Sequence, residues 1–140
     1  MSSYEKNSNF FAEQLKVCQW LEEDGIDLIE VSGVEFDQQE KELPYFLSQA
    51  ITLKKVVKVP IILTGGFRNT SQINKALDNG IDFIGVSRPF ICESDFIKKL
   101  KEGKNSRCTD CNCCYKIYRD EFKRCFLHNE INEQLKCNFS

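Results

Sequence analysis

VPIILTGGFR, residues 59–68, and its echo IDFIGVSRPF, residues 81–90, decide the fold. Each is a short apolar run, rich in β-branched residues, that ends in small residues and an arginine. Runs of this kind without polar alternation read as strands buried on both faces of a parallel sheet. A second echo places them in a series. DGIDLIEVSG, residues 24–33, matches NGIDFIGVSR, residues 79–88, at most positions. Both copies follow a helical pattern and a glycine stop, and internal repeats of this kind reveal architecture. The chain is therefore a succession of helix–strand units, which implies a parallel sheet. Right-handed crossovers put all strand C-termini on one side of it.

Working outward, Ser8 or Asn9 caps a helix from Phe10, with Phe11, Leu15, Cys18 and Leu21 on one face and Gly25 at its end. A strand follows at residues 26–32. The polar, acidic segment at 33–43 reads as the longest loop before the tail. Pro44 suits the first turn of the next helix, whose apolar stripe is Phe46, Ala50, Leu53 and Val57. Pro60 stands near the start of the middle strand, where proline is tolerated. Thr70 or Ser71 caps a helix carrying Ile73, Ala76 and Leu77 and closed by Gly80. Ser94 caps the last one, carrying Phe96, Ile97 and Leu100 and closed by Gly103. Three strands do not close a barrel, since an eight-fold β/α barrel takes ~250 residues. The fold class is α/β: a small open domain or part of a barrel.

Bulk properties narrow the function. The 140 residues are 41% apolar and 29% charged, so a core can form. The net charge of -2, with both signs mixed, lacks the basic face that non-specific nucleic-acid binding uses. No apolar run approaches the ~20 residues of a membrane span. The first residues, MSSYEKNSNFF, lack the apolar core of a signal peptide, which points to the cytoplasm.

The chemistry gathers at the strand ends. Gly65 and Gly66 offer bare backbone N–H groups to an anion, and Thr70 and Ser71 start a helix whose positive end points the same way. Ser87 and Arg88 end the neighbouring strand, and a guanidinium grips phosphate oxygens with two bonds. The alternative is a tight glycine turn beside a solvated arginine. Asp27 and Asp82 hold equivalent repeat positions at strand starts and read as turn or cap residues. Glu30 stands where the second copy has Gly85 and can face a barrel interior. Trp20 reads as a packing residue, and the acidic segment at 35–42 as solvated surface.

Four successive motifs, VPIILTGGFR, IDFIGVSRPF, ESDFIKKL at 93–100 and CTDCNCC at 108–114, resemble the C-terminal part of the Old Yellow Enzyme family, the FMN-dependent NADH:flavin oxidoreductases and NADH oxidases. The resemblance runs from about residue 10 to 125. It corresponds to roughly the last third of a family member, strands six to eight of a TIM (β/α)8 barrel. It implies that Gly65, Gly66, Ser87 and Arg88 hold the FMN 5′-phosphate, with NAD(P)H as electron donor. It divides the chain into a partial barrel with a phosphate half-site at residues 8–103 and a Cys-rich tail at 104–140.

The family's ring-contacting strands and its substrate-gripping histidines have no counterpart here. The one histidine, His128, lies beyond the last motif, so no catalytic residue is assigned. The expectation is an FMN-binding oxidoreductase of this type, truncated and with weak or no activity alone. The alternative is a binding or assembly module, or an inactive product, that needs a second copy or a complementing N-terminal fragment to close the barrel.

Eight cysteines is a high count, and Cys108, Cys111, Cys113 and Cys114 fall within seven positions, with Cys125 after them. In a cytosolic chain such clusters read as metal ligands or free thiols. Cys108 and Cys111, with Cys113 or Cys114 and with Cys125, offer four thiolates for zinc or an iron–sulfur cluster. A related branch resembling dienoyl-CoA reductase holds a 4Fe–4S cluster here, but its third cysteine falls where this chain has Tyr115. The CxxCNxC form resembles the flavin-dependent branch instead. Thiols in a local turn are the favoured reading, and the metal is unassigned.

Overall fold

The computed structural model describes residues 8–33, 44–116 and 125. The acidic segment at 34–43 and His128 lie outside them. The elements run α1 (Ser8–Glu23), β1 (Ile29–Val31), α2 (Leu47–Lys54), β2 (Ile61–Thr64), α3 (Thr70–Asp78), β3 (Phe83–Gly85), α4 (Arg88–Cys92), α5 (Phe96–Lys101) and α6 (Cys113–Lys116). By packing, the chain divides into two compact units, Met1–Val86 and Ser87–Ser140. This boundary differs from the 103/104 division read from the motifs.

In the first unit the expected strands form one parallel sheet in the order β1-β2-β3. Register pairs Ile29 with Ile61 and Leu63 with Ile84. Each strand is shorter than its apolar run. Ile61 and Leu63 point to one face and are fully buried. Against them pack Phe46, Ala50, Leu53 and Val57, the stripe read around α2, with Ala76 of α3 and Leu15 and Cys18 of α1.

The other face departs from the expectation of burial on both sides. Glu30 is exposed, Thr64 is half-buried, and Phe83 is 54% exposed. The helices cover one face of the sheet, as they do in a barrel, where the opposite face lines the interior.

Local readings hold with shifts, except that Ser94 does not cap α5: Asp95 takes that position, with no side-chain cap bond. Gly25, Gly80 and Gly103 end their helices at positive φ, as left-handed C-caps do. Pro44 precedes α2 by a full turn. Phe46 takes the N-cap position there in the left-handed region, at φ 57, with no side-chain cap bond. Leu77 and Ile97 turn outward at 44% and 46% exposure, because short helices have only one face against a core. Trp20 is not a packing residue. It is 53% exposed, with the Lys16 ammonium 5.5 Å from its ring centre, a surface cation–π pair.

Carboxylates staple the strand starts. Asp82 Oδ2 accepts from the Ile61 amide at 2.8 Å and from Lys54 Nζ at 2.5 Å. Those hydrogen bonds, Lys54's first, hold the Asp82 carboxyl below its ordinary range. Glu22 Oε1 accepts from the amides of Lys58 and Val59, at 2.6 and 2.8 Å, where the chain enters the middle strand. Asp82 is thus neither a turn nor a helix-cap residue: it bonds across to the start of the neighbouring strand.

The mismatch inside the repeat's strand, Glu30 against Gly85, has a steric cause. Thr64 Oγ1 donates to Glu30 Oε1 at 2.7 Å. A Cβ on residue 85 would lie 1.9 Å from that same oxygen and 3.3 Å from the Thr64 Cα. Gly85→Ala is expected to destabilise the first unit by about 1–3 kcal/mol, as overpacking does. Urea unfolding followed by Trp20 fluorescence measures it, and Gly85→Ala combined with Thr64→Ala should regain part of the loss.

Candidate functional site

Gly65 and Gly66 leave β2 at φ 114 and 84, a region open to glycine without strain. A Cβ on residue 65 would press on the Tyr45 ring at 3.0 Å, and the Gly65 carbonyl accepts from the Tyr45 amide at 3.1 Å. Phe67, 2% exposed, drives the turn into the core. The helix that follows is capped by Asn69, not by Thr70 or Ser71. Asn69 has extended backbone and its Oδ1 accepts from the Gln72 amide at 2.8 Å. Thr70 is already helical, so its hydroxyl is past the capping position. Gln72 Oε1 in turn accepts from the Arg68 amide at 2.8 Å, a reciprocal bond close to a capping box. The turn is thus held from both sides.

Ser87 and Arg88 open the second unit. Ser87 is exposed at the N-cap of α4, and its carbonyl accepts from the Phe90 and Ile91 amides. Arg88 is not a solvated strand-end charge. It is the first residue of α4, 7% exposed, and its Nη1 donates to the side chains of both Asp110 and Asn112. Asp110 and Asn112 stand at φ 65 and 58, left-handed positions that Asp and Asn tolerate best after glycine. Neither carries a mark of function in the sequence.

Small turn residues, backbone amides, a hydroxyl and a charged guanidinium are the donor set that a phosphate monoester takes. Gly65 and Gly66 lie in the first unit, Ser87 and Arg88 in the second.

The thiols gather within the second unit. Cys92, Cys108, Cys111, Cys114 and Cys125 line one cavity, with Arg88 and the disulfide-bonded Cys113 in its wall. The space in it is about 20 Å³, room for roughly one water. Burial pushes the Cys92 thiol up to about 12, helped by a hydrogen bond with Cys125 and by the charges of Cys125, Cys108 and Glu93. Burial also raises Cys114, with Cys108 adding to the rise and Arg88 opposing it. Among the described residues, no three of His, Cys, Asp or Glu converge as ligands of one ion.

Glu93 braces this unit. Its side chain is 1% exposed, and it accepts from Ser106 Oγ at 2.5 Å, the Arg107 amide at 2.7 Å and Lys99 Nζ at 2.5 Å. Burial raises the carboxyl, but these hydrogen bonds and the Lys99 charge outweigh it and hold it below its ordinary range. A folded value below the unfolded one stabilises above the unfolded pKa, and the stabilisation is lost as pH falls through the folded value. Stability of the second unit is therefore expected to decline from about pH 5 downward. Glu93→Gln is expected to flatten that decline and to cost about 2 kcal/mol at pH 7. Hydrogen exchange of the α5 amides at several pH values checks both.

Among the described residues no helix is long and apolar enough to cross a membrane. Residues 1–107 match the NADH:flavin oxidoreductase / NADH oxidase family. The chain is 29% identical over 119 residues to the NADH oxidase of Thermoanaerobacter brockii, covering 78% of this chain and 18% of that protein. It is 25% identical over 133 residues to the bilirubin reductase of Mediterraneibacter gnavus, covering 84% and 21%. A third relative, the 4,4'-dithiodibutanoate disulfide reductase of Rhodococcus erythropolis, is 28% identical over 72 residues, 50% of this chain and 18% of the relative. The chain thus spans about a fifth of the length of these relatives, less than the third expected from the motifs. The α/β order, the parallel sheet and this match agree, and the chain belongs to the NADH:flavin oxidoreductase / NADH oxidase family.

Proposed function

We propose that this chain supplies the phosphate end of an FMN site in a flavin oxidoreductase that takes electrons from NAD(P)H. The observation that carries the reading is the Gly65–Gly66 turn, whose positive φ values suit glycine and where a Cβ on residue 65 would press on the Tyr45 ring. Gly65 and Gly66 contribute amides, Ser87 a hydroxyl and Arg88 a guanidinium. FMN, when bound, supplies hydride acceptance and donation. This chain's residues bind and orient its phosphate. Residues 8–103 act as the partial barrel and 104–140 as the tail. No residue here is assigned to the hydride step, and weak turnover by the isolated chain follows from that.

Ser87→Asp tests the site without threatening the fold, because aspartate is itself a good N-cap. Its carboxylate is expected to repel the phosphate and weaken FMN binding about tenfold, or ~1.4 kcal/mol. Quenching of flavin fluorescence on titration into the purified chain reads it. Wild-type affinity in the variant removes Ser87 from the site, and no binding by the wild type at high micromolar FMN sinks the reading.

A further inference from the structure

The flavin reading uses Arg88 but not the two side chains that hold it. Asp110 and Asn112 both accept from Nη1, across 22 and 24 residues of chain, and the Arg88–Asp110 ion pair is 7% and 6% exposed. A guanidinium is a rigid planar fork, so anchoring one nitrogen at two points fixes the plane of the whole group. The two acceptors flank Cys111 in Cys108-Thr-Asp-Cys-Asn-Cys, and Arg88 and Asn112 share the cavity wall with Cys108 and Cys111. A displacement of Cys111 therefore carries an Arg88 partner on either side of it.

We propose that Asp110 and Asn112 are positioning residues for the anion grip of Arg88, and that through them the thiol loop and the phosphate site are energetically coupled. The proposal rests on Arg88 being part of the phosphate site. Coupling of this kind is reciprocal: whatever shifts the loop shifts the grip, and the reverse.

The test has two arms on the full chain. In the first, FMN affinity is measured for Asp110→Ala and Asp110→Asn. Alanine removes the acceptor, while asparagine keeps it and lifts the neutralising charge. Alanine is expected to weaken FMN about tenfold, with asparagine at or above wild-type affinity. Wild-type affinity in both variants overturns the positioning role, as does equal weakening in both. Circular dichroism establishes folding, and if the alanine variant does not fold, Asn112→Ala takes its place.

The second arm needs no flavin. Cys111 is followed by exchange with a small aromatic disulfide in wild type and in Arg88→Lys, which keeps the charge but not the fork. The rate at Cys111, mapped by mass spectrometry, is expected to change at least threefold. An unchanged rate overturns the coupling. If the wild type binds no FMN, the flavin reading fails in the first arm, and the second still decides whether Arg88 and the thiol loop are coupled.

Discussion

Replacing Arg88 with alanine is expected to destabilise the second unit by about 3–5 kcal/mol, the cost of removing one partner from a buried ion pair. The carboxylate it leaves behind is the reason. Asp110 is 6% exposed and cannot regain water without moving the loop that carries it. The same change removes a hydrogen bond from Asn112, whose φ of 58 is a conformation that this contact helps to hold. Hydrogen exchange of the α4 amides measures the effect. Exchange at the Ile91 and Glu93 amides, bonded to the carbonyls of Ser87 and Pro89, should speed up by two to three orders of magnitude. A rise of less than tenfold would mean the pair contributes no more than an exposed one. Asp110→Ala completes a double-mutant cycle, and adding it to Arg88→Ala should cost far less than it does alone, because both partners are then gone.

That pair also marks where the sequence stopped being legible. Strand runs, glycine stops and the repeat depend on near neighbours, so β1 to β3 and the α2 stripe could be read directly. Asp82 was legible only as a strand-start position, since its partners Ile61 and Lys54 stand 21 and 28 residues away. The Gly65–Gly66 turn was legible because two glycines after a buried strand have few other uses. The partners of Arg88 were not, since an Asp and an Asn in a Cys-rich loop carry no local mark of reaching back more than twenty residues. One local signal for α4 was available. Ser87 followed by Pro89 is an ordinary helix start, and taking Arg88 as the end of a strand passed over it. Trp20 misled for the opposite reason: a large ring implies burial, yet it lies on the face of α1 away from Leu15 and Cys18, which meet the core.

Phe67→Ala should be the most damaging change in the first unit, at about 3–5 kcal/mol, because it deletes a ring that is 2% exposed and leaves a cavity behind. The position ties stability to the site. Gly65 and Gly66 have no side chains with which to hold their own conformation. It is imposed from outside by the Tyr45 amide on the Gly65 carbonyl, by the Gln72 bond to Arg68, and by burial of the Phe67 ring between them. Removing the ring takes away the largest of these constraints. Two results are therefore expected together: a lower urea midpoint by Trp20 fluorescence, and weaker FMN binding under conditions where the variant is still folded. Phe67→Leu separates them. Leucine restores most of the buried area but not the shape of the ring, so it should recover more stability than affinity. If both recover in proportion, the ring acts only as bulk, and the turn's conformation is set by its hydrogen bonds alone.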